Sequence, residues 1–230
     1  MKHTLCKTAP ARGSVGRFLL LTVLIATLSA STVSADVGVS LKIGTQGLGG
    51  DVTVGLFERL NVRAGVSGGS IDDDYEDDDG NNYTAAIDLL MVPILLDWHP
   101  FAGNFRVSGG VVINRNEITA SAVPGEPVEL DGTDYTVDRL DAAISFRSTA
   151  PYFGIGYGNA GHDGSRFDMV FDLGVMYHGE PELSASATAS NAALQSQLNS
   201  SLATEVDELN ADIDGYAWYP VLNFGILLRF

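Results

Sequence analysis

Seven acids fall within eight residues: Asp72, Asp73, Asp74, Glu76, Asp77, Asp78 and Asp79, with Tyr75 among them and Gly80 after. Carboxylates this dense repel one another and resist packing, so the run reads as a solvated loop tip that concentrates cations. A calcium loop needs a fixed ligand spacing that this run lacks. With Gly80 as the turn glycine, the first ligand position holds Tyr75 and the twelfth holds Ala86, where a bidentate Glu is required. No metal and no cofactor are expected. After residue 35 the histidines are His99, His162 and His178. The first two fall in short turns, and His178 lies near a strand end with Glu180 close by. No nucleophile motif accompanies them, so no catalytic residue is assigned and an enzyme is not expected. The lone cysteine, Cys6, belongs to the leader, which leaves no disulfide and no thiol nucleophile in the rest.

A second set of charges is embedded in apolar alternation: Lys42, Asp51, Arg63, Asp88, Asp97, Arg106, Asp168, Asp172 and Arg229. Each stands opposite a hydrophobic row at period two. If the hydrophobic rows face outward, these nine face a shared interior, where an isolated charge is costly and a paired network is the stable outcome. Such a network would plug a small barrel and hold it together. The alternative chemistry is a narrow path in which acid side chains replace a cation's hydration shell.

The elements that would position these charges are strands. Residues 37–43 alternate Val37, Val39, Leu41 and Ile43 with Gly38, Ser40 and Lys42. A glycine-rich turn at 44–50 returns into 51–57, and a tight turn leads to 62–70. A fourth strand, 84–98, changes phase near Pro93, which predicts a β-bulge at Val92–Pro93 that sends Asp97 inward and Leu96 and Trp98 outward. Strands follow at 105–115, 146–157 and 166–178, with residues 116–145 read as one long loop. Leu194, Leu198, Leu202, Val206, Leu209 and Ile213 recur at helical spacing and predict an amphipathic helix packed over the barrel mouth. The eighth strand is 218–230. Short connections alternate with long ones, the asymmetry of barrels with periplasmic turns and extracellular loops. The expected fold is therefore all-β, an eight-stranded antiparallel up-and-down transmembrane barrel with a helix in its last extracellular loop. Trp98, Tyr157, Tyr177 and Trp218 stand at strand ends, where aromatic girdles anchor a barrel.

Residues 1–35 read as a cleaved signal peptide, with Lys2, Lys7, Arg12 and Arg17 before an apolar run at 18–30 and small residues at 33–35. The barrel would occupy 36–230. Beyond the leader, nine Lys and Arg face 29 acids, which sets nucleic acid aside as a partner. Cationic solutes suit that balance. The last strand ends on an aromatic residue, and Asn223, Gly225, Leu228 and Phe230 have the pattern of the signal read by the barrel-assembly machinery of the Gram-negative outer membrane. Outer-membrane lipid and lipopolysaccharide would be its surroundings.

Several short motifs occur in order along the chain. They are Gly44-Thr45 with Gly47, Gly49 and Gly50; Ala150-Pro151-Tyr152 with Gly154 and Gly156; Tyr177 with Gly179 and Pro181; and Tyr216 with Trp218, Pro220 and Val221. Together they resemble the carbapenem-associated ornithine-porin (CarO-type) family of small outer-membrane barrels. The resemblance implies an eight-stranded barrel and uptake of basic amino acids such as ornithine. Two functions are thus expected: a porin-like barrel passing or binding small cationic solutes, or a structural or surface-interaction barrel with a plugged lumen.

Overall fold

The structure, a computed structural model, describes residues 36–76, 82–123, 127–130, 132–160 and 166–230. The proposed leader, Asp77, Asp78, Asp79 and His162 lie outside the described residues. The elements in chain order are β1 (Val37–Gly44), β2 (Gly47–Phe57), β3 (Leu60–Glu76), β4 (Asn82–Trp98), β5 (Phe105–Asn114), β6 (Glu117–Val123), β7 (Val128–Leu130), β8 (Thr133–Tyr135), β9 (Val137–Ser145), β10 (Thr149–Tyr157), β11 (Phe167–Tyr177), β12 (Glu182–Ala189), a 3-10 turn at Ala192–Leu194, α1 (Gln195–Ile213) and β13 (Trp218–Arg229).

Eight of these strands close a barrel. β1, β2, β3, β4, β5, β10, β11 and β13 pair in that order, all antiparallel, and β13 pairs back onto β1. Closure leaves none of the eight with an unpaired edge within the barrel, which is what a hydrocarbon environment demands of a backbone. The alternation is inside-out relative to a water-soluble protein. Leu41, Ile43, Val52, Ile94, Leu96, Val111, Phe153, Met169, Leu173, Phe224 and Ile226 are exposed, while Lys42, Asp51, Arg63, Asp97, Arg106 and Asp172 are buried. This is the pattern of a transmembrane barrel. No described helix is long and apolar enough to cross a membrane.

Both chain ends of the described barrel lie at one end of the cylinder, here the lower end. Above the opposite rim, part of the wall continues. The pair Met91↔Asn114 below and Asp88↔Glu117 above keep one register, so β6 prolongs β5 along β4. Ile113↔Thr149 and Glu117↔Ser145 likewise show that β9 prolongs β10. At the interruption Arg115 N donates to Leu90 O (2.8 Å), and the Asn116 side chain accepts from Leu90 N (3.0 Å), so the ladder hardly breaks. β12 follows β11 and pairs with β9, with a one-residue slip near Gly179, whose φ of 76° suits glycine. The result is a side sheet β3-β4-β6-β9-β12 standing on half of the rim.

Three expectations are corrected here. Residues 116–145 are not a loop but β6, the β7–β8 hairpin and β9. β6 alternates mostly among Ala, Ser and Thr, β7 and β8 are three residues each, and β9 carries Asp138, Arg139 and Asp141 among its apolar residues, so the hydrophobic contrast is low. There is no bulge at Val92–Pro93: from Leu60↔Trp98 to Glu76↔Asn82 the β3–β4 register never shifts. The phase change is only apparent, because Met91 faces inward into an apolar layer and not outward with the lipid-facing row. Nor is the acidic run wholly a loop tip. Asp72, Asp73, Asp74, Tyr75 and Glu76 belong to β3 and pair with residues 82–86 of β4. Exposed Asp72, Asp73 and Asp74 face solvent on alternate sides of the sheet, which separates neighbouring carboxylates.

The helix does form, but it is not packed over the barrel mouth as expected: it lies beside the outer edge of β12, whose open backbone groups it binds. Asn210 Oδ1 accepts from Leu183 N (2.8 Å) and its Nδ2 donates to Leu183 O (3.0 Å). At the other end Gln195 Oε1 accepts from Ala189 N (2.8 Å) and its Nε2 donates to Ala187 O (2.9 Å). Leu198 and Leu202 complete a small core with Leu130, Tyr135, Val137 and Ala189.

Candidate functional site

The barrel interior is layered. The upper layer is apolar: Met91, Leu95, Val112, Ala150, Tyr152, Met176 and Val221 pack together and are almost fully buried. Beneath it lie three cations and three carboxylates. Arg63 is the hub. Its Nε and Nη2 hold both oxygens of Asp97 (2.8 and 3.1 Å), while Nη1 reaches Asp51 (3.2 Å) and Asp172 (3.1 Å). Lys42 pairs with Asp51 and with Asp172, the latter at 3.1 Å. Arg106 Nη2 donates to Asp172 Oδ1 (2.7 Å), and its Nη1 donates to the carbonyls of Tyr157 (3.1 Å) and Gly158 (2.6 Å). Its Nε stands 3.8 Å from Asp97 without a hydrogen bond among the described residues. Ser108 donates to Asp97 Oδ1 at 2.5 Å. The six charges cancel within one connected network, and none of their side chains is more than 7% exposed.

Close approach fixes where side chains are absent. A Cβ on Gly156 would stand 2.9 Å from Arg106 Nε, so glycine there makes room for the guanidinium. Gly225 faces the Leu41 backbone of β1, and any side chain would collide with it. The space left among Lys42, Arg63, Tyr152, Asp172 and Asn223 is about 10 Å³ for the centre of a water-sized sphere, room for about one water.

A third, lower layer is polar. His99 is buried, and its Nδ1 faces two carbonyls, Gly103 O (3.0 Å) and Phe105 O (3.1 Å), so Nδ1 carries the proton. Nε2 then accepts from Asn61 Nδ2 (3.1 Å), which is shared with Asn159 Oδ1 (3.1 Å). Burial holds the His99 imidazole below its ordinary value, and Arg106 adds to that lowering against the opposing pull of Asp97. Arg229 Nη2 pairs with Asp168 (2.6 Å) near the lower opening, and its Nε donates to Asn159 O (2.7 Å).

Of the nine expected interior charges, six form the central cluster, and Asp168 with Arg229 form a separate pair below it. Asp88 is a correction. It is exposed, on the outward face of β4 above the rim, opposite Glu117 and Ser70. Reading the strand with Met91 outward placed Asp88 inside; with Met91 inside, Asp88 must face out. Gln46, Asn61, His99 and Asn159 were not anticipated in the interior. Gln46 donates to Met91 Sδ (3.1 Å) and accepts from Asn223 Nδ2 (2.9 Å). All four sit in or beside turns, where alternation gives no direction. Of the expected assembly signal, Asn223 and Gly225 face inward, Leu228 faces outward, and Phe230 is 74% exposed at the lower end. His178 is buried at the upper rim with its ring edge-on to Phe146 (4.7 Å) and near Tyr219 (6.0 Å), and burial lowers its pKa. No group of three or more potential metal ligands occurs among the described residues.

No known family model and no curated protein matches the chain. The crystal structure of CarO2 from Acinetobacter baumannii superposes with a TM-score of 0.54 at 22% identity, over 84% of this chain and 98% of that one. The crystal structure of Acinetobacter baumannii CarO gives 0.55 at 19% identity, over 85% and 98%. The chain has the CarO fold. At this identity the likeness extends to the architecture and not to the lumen chemistry, so the ion cluster stands on its own geometry. The CarO fold supplies the wall, and the residues above decide what the wall encloses.

Proposed function

We propose that this chain is a Gram-negative outer-membrane barrel with a closed lumen, which carries its side sheet and helix at the cell surface as an interaction platform. The observation that carries the reading is the neutral six-charge cluster, with space left for about one water. A cation entering the cluster would have to displace Lys42 or an arginine from paired carboxylates, and nothing there has excess negative charge to attract it. The filled lumen thus favours the surface-interaction reading over the porin-like one. The porin-like reading draws support from the overall charge of −16 and from Asp72, Asp73 and Asp74 above the mouth. It further requires the cluster to open.

In this reading residues 1–35 are the removed leader, the lower end is periplasmic, and the terminal strand is presented to the assembly machinery. Planar-bilayer conductance and liposome swelling with arginine, ornithine and lysine test it. The expected result is no permeation above protein-free bilayers. Sustained uptake of any of the three would replace the closed-lumen reading with the porin-like one.

A further inference from the structure

The outward row of the barrel wall is uncharged until the upper rim, where two arginines stand side by side. Arg115 follows β5 and Arg147 precedes β10. The register Ile113↔Thr149 below and Glu117↔Ser145 above puts them opposite each other, and in the pair just below them Asn114 N donates to Ser148 O (2.9 Å). Both are exposed, and Arg115 is flanked by buried Asn114 and Asn116, so it points away from the lumen. The Arg147 guanidinium lies 5.8 Å from the centre of the Tyr177 ring, and that ring packs against Trp218 at 4.9 Å. A Tyr–Trp pair at the end of an apolar band marks headgroup level.

Lys42, Arg63, Arg106, Arg139 and Arg229 each have a carboxylate within 4.0 Å; Arg115 and Arg147 have none among the described residues. Like charges directly across two strands destabilise a sheet. An anion shared between them reverses the sign of that interaction, and guanidinium forks suit the oxygens of a phosphate. The next outward row up holds Asp88, Glu117 and Glu182, whose carboxylates would repel a phosphate placed higher. The favourable level is one row deep.

We propose that Arg115 and Arg147 form a binding site for the phosphate of an outer-leaflet lipid headgroup, with Tyr177 holding Arg147 in place. The site rests on the outer-membrane reading, which sets the headgroups of an outer leaflet against this face of the wall at this height.

The test measures lipid retention by the purified full-length barrel in zwitterionic detergent, using native mass spectrometry and thermal shift. The probes are bisphosphorylated lipid A, the same lipid stripped of both phosphates, and inorganic phosphate. The proposal expects retention of the phosphorylated lipid alone, and about a tenfold weaker affinity in the Arg115→Gln/Arg147→Gln variant, as loss of charge-assisted hydrogen bonds implies. Arg115→Lys/Arg147→Lys should recover part of it. Arg59→Gln/Arg166→Gln, at the lower end, should leave it unchanged. Heat-modifiable gel mobility confirms that each variant is a folded barrel. Equal lipid A affinity in the glutamine variant, or equal response to inorganic phosphate, overturns the site. Outer-membrane fractionation of the wild type tests the underlying reading separately, and absence from that fraction defeats the reading whatever the lipid assay gives.

Discussion

Arg63 bonds three carboxylates from three other strands, β2, β4 and β11. That makes it the residue whose loss changes most. Arg63→Ala leaves Asp51, Asp97 and Asp172 with only Lys42 and Arg106 between them, a net buried negative charge. Breaking a buried ion pair by removing one partner destabilises by about 3–5 kcal/mol. The variant should therefore lose its heat-modifiable mobility at a clearly lower temperature and unfold at lower urea than wild type. Unchanged midpoints would mean that the cluster contributes little to holding the barrel. The six members of this cluster were legible in the sequence because each interrupts an apolar row at a position opposite the lipid face. Their pairing was not legible, since contacts such as Lys42 to Asp172 span 130 positions and depend on barrel closure. Asp88 differs because Met91, an apolar residue facing inward, shifts the apparent phase of β4, and one residue of phase moves a side chain to the other face.

At the scale of elements, the barrel strands were readable and the side sheet was not. A lipid-facing strand carries large apolar residues on its outer row, whereas β6 and β12 satisfy the same geometry largely with Ala, Ser and Thr, and β9 interrupts its few large apolar residues with Asp138, Arg139 and Asp141. Such strands gain less from burial and leave a long edge at β12, a template for pairing with another chain. The helix answers that liability. Through Asn210 and Gln195 it takes up the edge hydrogen bonds of Leu183, Ala187 and Ala189, while Leu198 and Leu202 anchor it. The leucine spacing announced the helix; the two amides that define its task share that face, Gln195 three residues before Leu198 and Asn210 four after Val206, but an amide in a leucine stripe does not reveal what it binds. Gln195→Ala/Asn210→Ala should free the edge and produce concentration-dependent association of the folded barrel, read by light scattering or cross-linking in detergent. A variant that remains monomeric at all concentrations would remove edge protection as the helix's role.

The whole molecule divides by height and not by sequence. All the ion-cluster residues, the apolar layer and the His99 network lie below the upper rim, while β6 to β9, β12 and α1 lie above it. The chain crosses that level six times, at facing positions: Ser70 opposite Asp88, residue 116 opposite residue 146 by continuation of the β5–β10 register, and His178 N donating to Ala217 O at 3.1 Å. Partners across an antiparallel pair are close enough to be joined by a two-residue Asn-Gly hairpin turn. Replacing 71–87, 117–145 and 179–216 by such turns should thus leave a barrel whose closure and interior are untouched. The trimmed chain is expected to fold in detergent with heat-modifiable mobility, and with a urea midpoint that still falls on Arg63→Ala. If it does not fold, the side sheet is part of the barrel's folding unit, and the separation by height is wrong. If it folds, the surface platform can be exchanged or deleted on an intact barrel, and any binding lost with it can be assigned to residues above the rim.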